Sequence, residues 1–213
     1  MRCDKSRMPL YAVTDRTWLR GQTLLEQAEA AIRGGATCMQ LREKELDHDA
    51  FLQEAFEMKA LCRKYHIPLF INDDVEIAVA CKADGVHIGQ HDAPAAEVRR
   101  IIGPEMMLGV SAQTVEQALK AQTDGADCLG VGAVFSTGTK LDADDVSFDT
   151  LKAICEAVDI PVVAIGGIKR DNIRLLAGSG IDGVAVVSAI FAAEDIEAET
   201  RMLRETVREE LGV

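Results

Sequence analysis

The stretch Gln40-Leu41-Arg42-Glu43-Lys44 follows an apolar run, Cys38–Leu41, that reads as a β-strand. Residues two apart on a strand share a face, so Gln40, Arg42 and Lys44 point one way. Two cations beside an amide suit an anionic substrate. The competing account is an ion-pair network with Glu43 and Glu45. A second strand-like run ends in Asn72-Asp73-Asp74, and a third in His87-Ile88-Gly89-Gln90-His91-Asp92. Asp73 and Asp92, at the ends of neighbouring strands, can flank a hard cation, with substrate phosphate completing the usual magnesium arrangement. One of the two adjacent carboxylates is expected to cap the next helix, and Asp74 is the better candidate. His87 and His91 raise a transition-metal alternative, but His87 alternates inward within an apolar strand and reads as a core histidine.

Further polar residues follow the later strands. Gly109-Val110-Ser111 places a hydroxyl without a His–Asp pattern around it, which argues against a hydrolase triad. Val134 to Lys140 contains Thr137, Gly138, Thr139 and Lys140, a loop of hydroxyls, glycine and lysine fit to cradle phosphate. It lacks the P-loop spacing. The acidic run Asp142 to Asp145 is expected to be exposed and to belong to a lid. Gly166-Gly167-Ile168 and Val187-Ser188-Ala189-Ile190 match the two loops that form a recurrent phosphate site in barrels, with N–H groups of Gly167 and Ser188 as donors. A tight turn is the alternative for the glycine pair.

These residues sit at the ends of eight short β-type runs: Leu10–Thr14, Cys38–Leu41, Pro68–Asn72, Gly85–Ile88, Met107–Val110, Cys128–Val131, Val162–Ile165 and Gly183–Val187. Most are continuously apolar, as parallel strands covered on both sides should be. Amphipathic helical patterns alternate with them, such as Phe51, Ala55, Met58 and Cys62. Thr23 with Glu26 and Thr114 with Gln117 fit the capping box. Turns of one kind lead into alternate strands: Gly34-Gly35-Ala36-Thr37, Lys82-Ala83-Asp84-Gly85, Asp124-Gly125-Ala126-Asp127 and Gly180-Ile181-Asp182-Gly183. The pattern predicts a single (β/α)8 TIM barrel over residues 1–213, with a polar extension at 1–8 and a C-terminal helix at about 195–211. An open doubly wound sheet is the alternative. In a barrel the chemistry belongs on the loops after the strands, where these residues lie.

Composition narrows the function classes open to the chain. The chain has 213 residues, 48% hydrophobic, with net charge −12. That acidity argues against nucleic-acid and anionic-membrane surfaces, while a few local cations can still bind an anion because screening is short-ranged. No stretch approaches a membrane span. Six cysteines are scattered with no C-x-x-C pair, which reads as reduced thiols in a cytoplasmic protein.

Eight stretches taken in order resemble the thiamine phosphate synthase family. They are Leu10-Tyr11-Ala12-Val13-Thr14-Asp15, Gln40 to Lys44, Ile71-Asn72-Asp73-Asp74-Val75, Ala83 to Gln90, Gly109 to Ala112, Thr137 to Lys140, Val163 to Ile168 and Gly183 to Ile190. The resemblance implies a TIM barrel that joins a hydroxymethylpyrimidine diphosphate to a thiazole phosphate or its carboxylated form, releasing pyrophosphate by a dissociative route. It implies magnesium on Asp73 and Asp92. It places Arg42, Lys44, Asn72 and Lys140 on the pyrimidine diphosphate, and Gln40 on the pyrimidine. The adjoining Leu41 and Glu43 count with this substrate-binding stretch, and Gly138 with its loop. Ser111 falls near the reacting centre, with Ser111, Lys140 and Arg42 as the catalytic set. Thr137 and Thr139 fall near the thiazole partner and departing pyrophosphate, and Gly167, Val187 and Ser188 at the thiazole phosphate. Such barrels are often homodimers. The sequence departs from the family at Ala133 and Ser136, where proline is frequent, and at Leu141, where a second lysine is common. A thiazole tautomerase, or an inactive phosphate-binding barrel, is the remaining alternative.

Overall fold

The computed structural model describes residues 3–136 and 146–213. Eight parallel strands close on themselves: β1 (Leu10–Val13), β2 (Cys38–Leu41), β3 (Leu69–Asn72), β4 (Gly85–Ile88), β5 (Met107–Ala112), β6 (Cys128–Val131), β7 (Val162–Ile165) and β8 (Gly183–Val186). β1 pairs with both β2 and β8, with Leu10 opposite Val184, so the sheet has no edge and the open-sheet alternative fails. The crossovers carry α1 (Leu24–Gly34), α2 (His48–Lys64), α3 (Val75–Ala80), α4 (Ala95–Ile102), α5 (Val115–Thr123) and α6 (Phe148–Ala157). The crossover from β7 to β8 is shorter than the sequence pattern suggests, a 3-10 turn at Ile173–Leu176. After β8 come α7 (Ser188–Phe191) and the long α8 (Ile196–Leu211).

Strand alternation divides the apolar side chains into two layers. Leu10, Ala12, Met39, Leu41, Leu69 and Ile71 face outward and meet the helices. Tyr11, Val13, Cys38, Phe70, Met107, Cys128, Val163 and Ala185 fill the interior. A barrel of eight strands is just wide enough for side chains to fill, so large residues need small neighbours. Gly85 makes room for Phe70: a Cβ there would lie 2.4 Å from the ring. Residues 3–8 are more than a polar extension. Met8 is fully buried within the interior cluster and Cys3 packs against that cluster.

Local signals account for the helix starts. Thr23 and Glu26 form the full capping box, with the Glu26 carboxylate accepting from Thr23 N at 2.7 Å. Thr114 caps α5 through Gln117 N, but the Gln117 side chain reaches past it to Gln113 N at 2.7 Å. Asp74 caps α3, accepting from Ile77 N at 2.8 Å, which leaves Asp73 available for other work.

Candidate active site

The polar ends of the strands converge at the C-terminal mouth of the barrel. Gln40 is inward on β2 and 5% exposed; its Nε2 donates to the Tyr11 hydroxyl at 3.1 Å. Burial pushes the Tyr11 phenol well above its usual value, so it stays neutral. Its ring leans on Phe70 at 5.6 Å between centroids. Arg42 leaves β2 with its N–H on Thr14 Oγ1 at 3.0 Å, and its guanidinium lies 3.6 Å from the Asp15 carboxylate. Lys44 Nζ meets Asp73 Oδ2 at 2.6 Å. Arg42 and Lys44 therefore take Asp15 and Asp73 as partners, not the glutamates of their own loop.

Asp73 owes its position to the backbone. At φ +64 it leaves the strand in a left-handed conformation, which aspartate tolerates better than most residues. Its N–H donates to His87 O at 2.8 Å, and its carboxylate swings to Lys44. Asp92 sits in the loop after β4, where its Oδ2 accepts from Gly89 N at 2.6 Å. Each carboxylate keeps one further oxygen. Among the described residues no group of three or more His, Cys, Asp or Glu side chains gathers at a metal-binding distance. That donor set fits magnesium, which is commonly held by one or two carboxylates and completed by water and substrate oxygens. It does not fit a closed transition-metal cage, which needs several nitrogen or sulfur ligands.

His87 has a more specific place than its apolar strand suggests. Its Nε2 lies 3.1 Å from Ser111 Oγ. The ring crosses β5 and β6 where both strands have glycine: a Cβ at Gly109 would come within 2.5 Å of Nδ1, and one at Gly130 within 3.0 Å of Cε1. Gln90 Nε2 fixes the same turn by donating to Ser111 O at 2.6 Å. His87 and Ser111 are far apart in sequence and meet through strand register, with His87 opposite Gly109 and Ser111 opposite Gly130.

Glu43 and Leu41 stand apart from this cluster. Leu41 is fully buried in the outer core. Glu43 Oε1 accepts from the N–H groups of Lys44 and Glu45, each at 2.7 Å, and Oε2 pairs with Arg16. Burial raises the proton affinity of Glu43, but these N–H groups and the Arg16 guanidinium outweigh it and hold the carboxyl below its ordinary value. Its work is to shape the β2 loop that carries Arg42 and Lys44. Asn72 lies inward at the end of β3 by the same alternation as Phe70.

On the far side, Gly166 and Gly167 turn at φ +102 and +64. A Cβ on Gly167 would strike the carbonyls of Phe135 and Ser136, both at 2.7 Å, so the β7 loop lies directly against the β6 loop. Asn172 Nδ2 pins Gly167 O at 2.9 Å. Val187 precedes α7 and Ser188 opens it, leaving its first N–H groups without intrahelical acceptors. Thr137, Gly138, Thr139, Lys140 and the acidic run through Asp145 lie outside the described residues. Sequence reasoning missed Tyr11, Asp15, Thr14 and the His87–Ser111 pairing. For Tyr11 a signal existed, a polar tip on an inward position two residues before Val13. For the others only strand register reveals the contact.

A closed barrel whose C-terminal mouth gathers two basic and three acidic side chains beside a histidine–serine pair defines a TIM-barrel enzyme with a charged, polar mouth. Residues 10–190 match the profile of the family described as thiamine monophosphate synthase. The thiamine-phosphate synthase of Clostridium tetani is 54% identical over 188 residues, 88% of this chain and 90% of its own. That of Alkaliphilus oremlandii is 52% identical over 199 residues, 93% of this chain and 95% of its own. A solved thiamine phosphate pyrophosphorylase from Pyrococcus furiosus superposes with a TM-score of 0.90 at 39% identity, covering 98% of this chain and 99% of that one. The chain belongs to the thiamine monophosphate synthase family, and it is a transferase.

Proposed function

We propose that this chain joins 4-amino-2-methyl-5-(diphosphooxymethyl)pyrimidine to a thiazole phosphate, giving thiamine phosphate and pyrophosphate, or to its carboxylated form, which loses carbon dioxide as well. The observation that carries this reading is the charge arrangement on one wall of the mouth: Arg42 on Asp15 at 3.6 Å and Lys44 on Asp73 at 2.6 Å. Both cations are held by carboxylates that an incoming diphosphate can replace or share. In the reaction the methylene C–O bond breaks with its electron pair passing to the diphosphate oxygen, and the thiazole nitrogen lone pair forms the new C–N bond. The developing negative charge on the leaving group must be met by groups already in place, because reorganisation during the step is costly.

Arg42 and Lys44 meet that charge, with Asn72 and Lys140 on the same diphosphate. Gln40, fixed by Tyr11, orients the pyrimidine. Ser111, fixed by His87, stands beside the reacting carbon and the departing oxygen. Thr137, Gly138 and Thr139 contact the thiazole partner and pyrophosphate, and Gly167, Val187 and Ser188 hold the thiazole phosphate through backbone and hydroxyl donors. Magnesium held by Asp73 and Asp92 supplies further charge neutralisation of the diphosphate. No residue acts as a covalent nucleophile, so the chain contributes positioning and preorganised electrostatics. The six free thiols support a reducing, cytoplasmic compartment.

The test is pyrophosphate release by the purified chain with both precursors and magnesium. Release that needs all three supports the reading. No release, or conversion of the thiazole phosphate alone, refutes it.

A further inference from the structure

A second cleft, of about 580 Å3, lies between α2 and α3 at the N-terminal end of the barrel. Its walls come from the last turns of α2 and the turns that lead into β3 and β4, so it opens away from the mouth. Lys59, Arg63, Lys64, His66 and Lys82 line it, with Phe56 as an exposed apolar wall. Four permanent cations in one cleft are unexpected in a chain of net charge −12. Lys59 is held by Asp84 at 2.7 Å and Lys64 by Glu29 at 2.8 Å. Arg63 and Lys82 are exposed and form no ion pair among the described residues.

The backbone adds a separate observation. The turns after α2 and α3 pass through left-handed residues, His66 at φ +59 and Lys82 at φ +54. The equivalent turns before β2, β6 and β8 use Gly35, Gly125 and Gly180, at φ +110, +97 and +89. Glycine takes this conformation freely, whereas a residue with a Cβ does so against steric opposition. Two turns thus keep a nitrogen-bearing side chain where glycine is easier, and both side chains line the same cleft. Strained positions of this kind concentrate at functional sites.

We propose that this cleft is a second anion site, which takes a small molecule bearing two or more phosphate groups. The Arg63 guanidinium offers a planar fork to one phosphate, the Lys82 ammonium a mobile point charge to the next. Phe56 offers a face for an apolar or ring portion. The site is remote from Arg42 and Lys44, so its ligand does not compete with substrate.

The test is calorimetric titration of the full chain with inorganic triphosphate at low salt without magnesium. The Arg42→Ala, Lys44→Ala, Lys140→Ala background weakens binding at the mouth, and what remains there is insensitive to substitutions in the second cleft. In that background triphosphate binding is expected to persist and to weaken at least tenfold when Arg63→Glu and Lys82→Glu are added. Lys82→Gly is expected to weaken binding several-fold while Tm stays at or above that of the background. Should the double charge reversal fail to fold, Arg63→Gln with Lys82→Gly reads the same loss. No binding in the background, or an affinity unchanged by these substitutions, overturns the proposal. So does a fall in Tm for Lys82→Gly, since the side chain would then serve the fold.

Discussion

Gly109→Ala is the most exacting test of how the active site is held. A Cβ at Gly109 would lie 2.5 Å from His87 Nδ1, 3.2 Å from Cγ and 3.3 Å from Cε1. Ordinary carbon contacts are at about 3.5–4.0 Å, so the ring must move by roughly an ångström. It cannot simply slide over β6, because the space there exists only through Gly130 and the ring already lies close to it. The His87 Nε2 to Ser111 Oγ separation of 3.1 Å would then exceed the hydrogen-bond range. Overpacking of this kind costs about 1–3 kcal/mol, and the methyl's effect on the unfolded chain returns only about 0.4–1 kcal/mol. The net loss of about 0–2.6 kcal/mol corresponds to a fall in Tm of up to about 10 °C for a chain of this size. Losing one orienting hydrogen bond of about 0.5–1.5 kcal/mol lowers kcat/KM by roughly two- to tenfold. The check is a double-mutant cycle with His87→Ala, read by thermal melting and pyrophosphate release. Removing the imidazole removes the obstacle, so Gly109→Ala should be nearly harmless to stability in the His87→Ala background while activity stays low. Additive Tm losses, or Gly109→Ala with wild-type melting and kcat/KM, would refute the reasoning.

Other consequences follow from the same geometry. Asp92→Ala should abolish pyrophosphate release yet leave Tm near wild type, since Asp92 is exposed and, among the described residues, its side chain's one hydrogen bond is with Gly89 N; a large Tm loss would make it structural. Lys44→Ala should cut kcat/KM at least tenfold and raise KM for the pyrimidine diphosphate, and an unchanged KM would remove Lys44 from that role. Gly85→Ala should destabilise by about 1–3 kcal/mol without a specific kinetic effect, because its Cβ meets the Phe70 ring at 2.4 Å at a distance from the mouth; melting curves decide it. Glu43 has its carboxyl depressed, so its stabilisation is present above the ordinary value near pH 4.3 and fades as pH falls through the lower folded value. Burial raises the neighbouring Glu54 and works in the opposite direction. Glu43→Gln should therefore be less stable at pH 7 and show a shallower acid limb; an acid limb parallel to wild type would contradict the assignment.

The sequence by itself determined the strands almost to the residue. Continuous apolar runs of four to six residues, punctuated by glycine turns, permit little else than covered parallel strands. Alternation on those strands put Gln40 inward, and cap chemistry separated Asp74 from Asp73. It could not show that Arg42 rests on Asp15, that Tyr11 holds Gln40, or that His87 reaches Ser111. Those contacts join residues on different strands, and their geometry is set by barrel stagger and register, which no local pattern encodes. Tertiary structure also shows that the Glu43 carboxylate is engaged within its own loop, by Arg16 and three nearby N–H groups. Sequence determined which residues stand at the ends of the strands; closure of the barrel decided which of them touch.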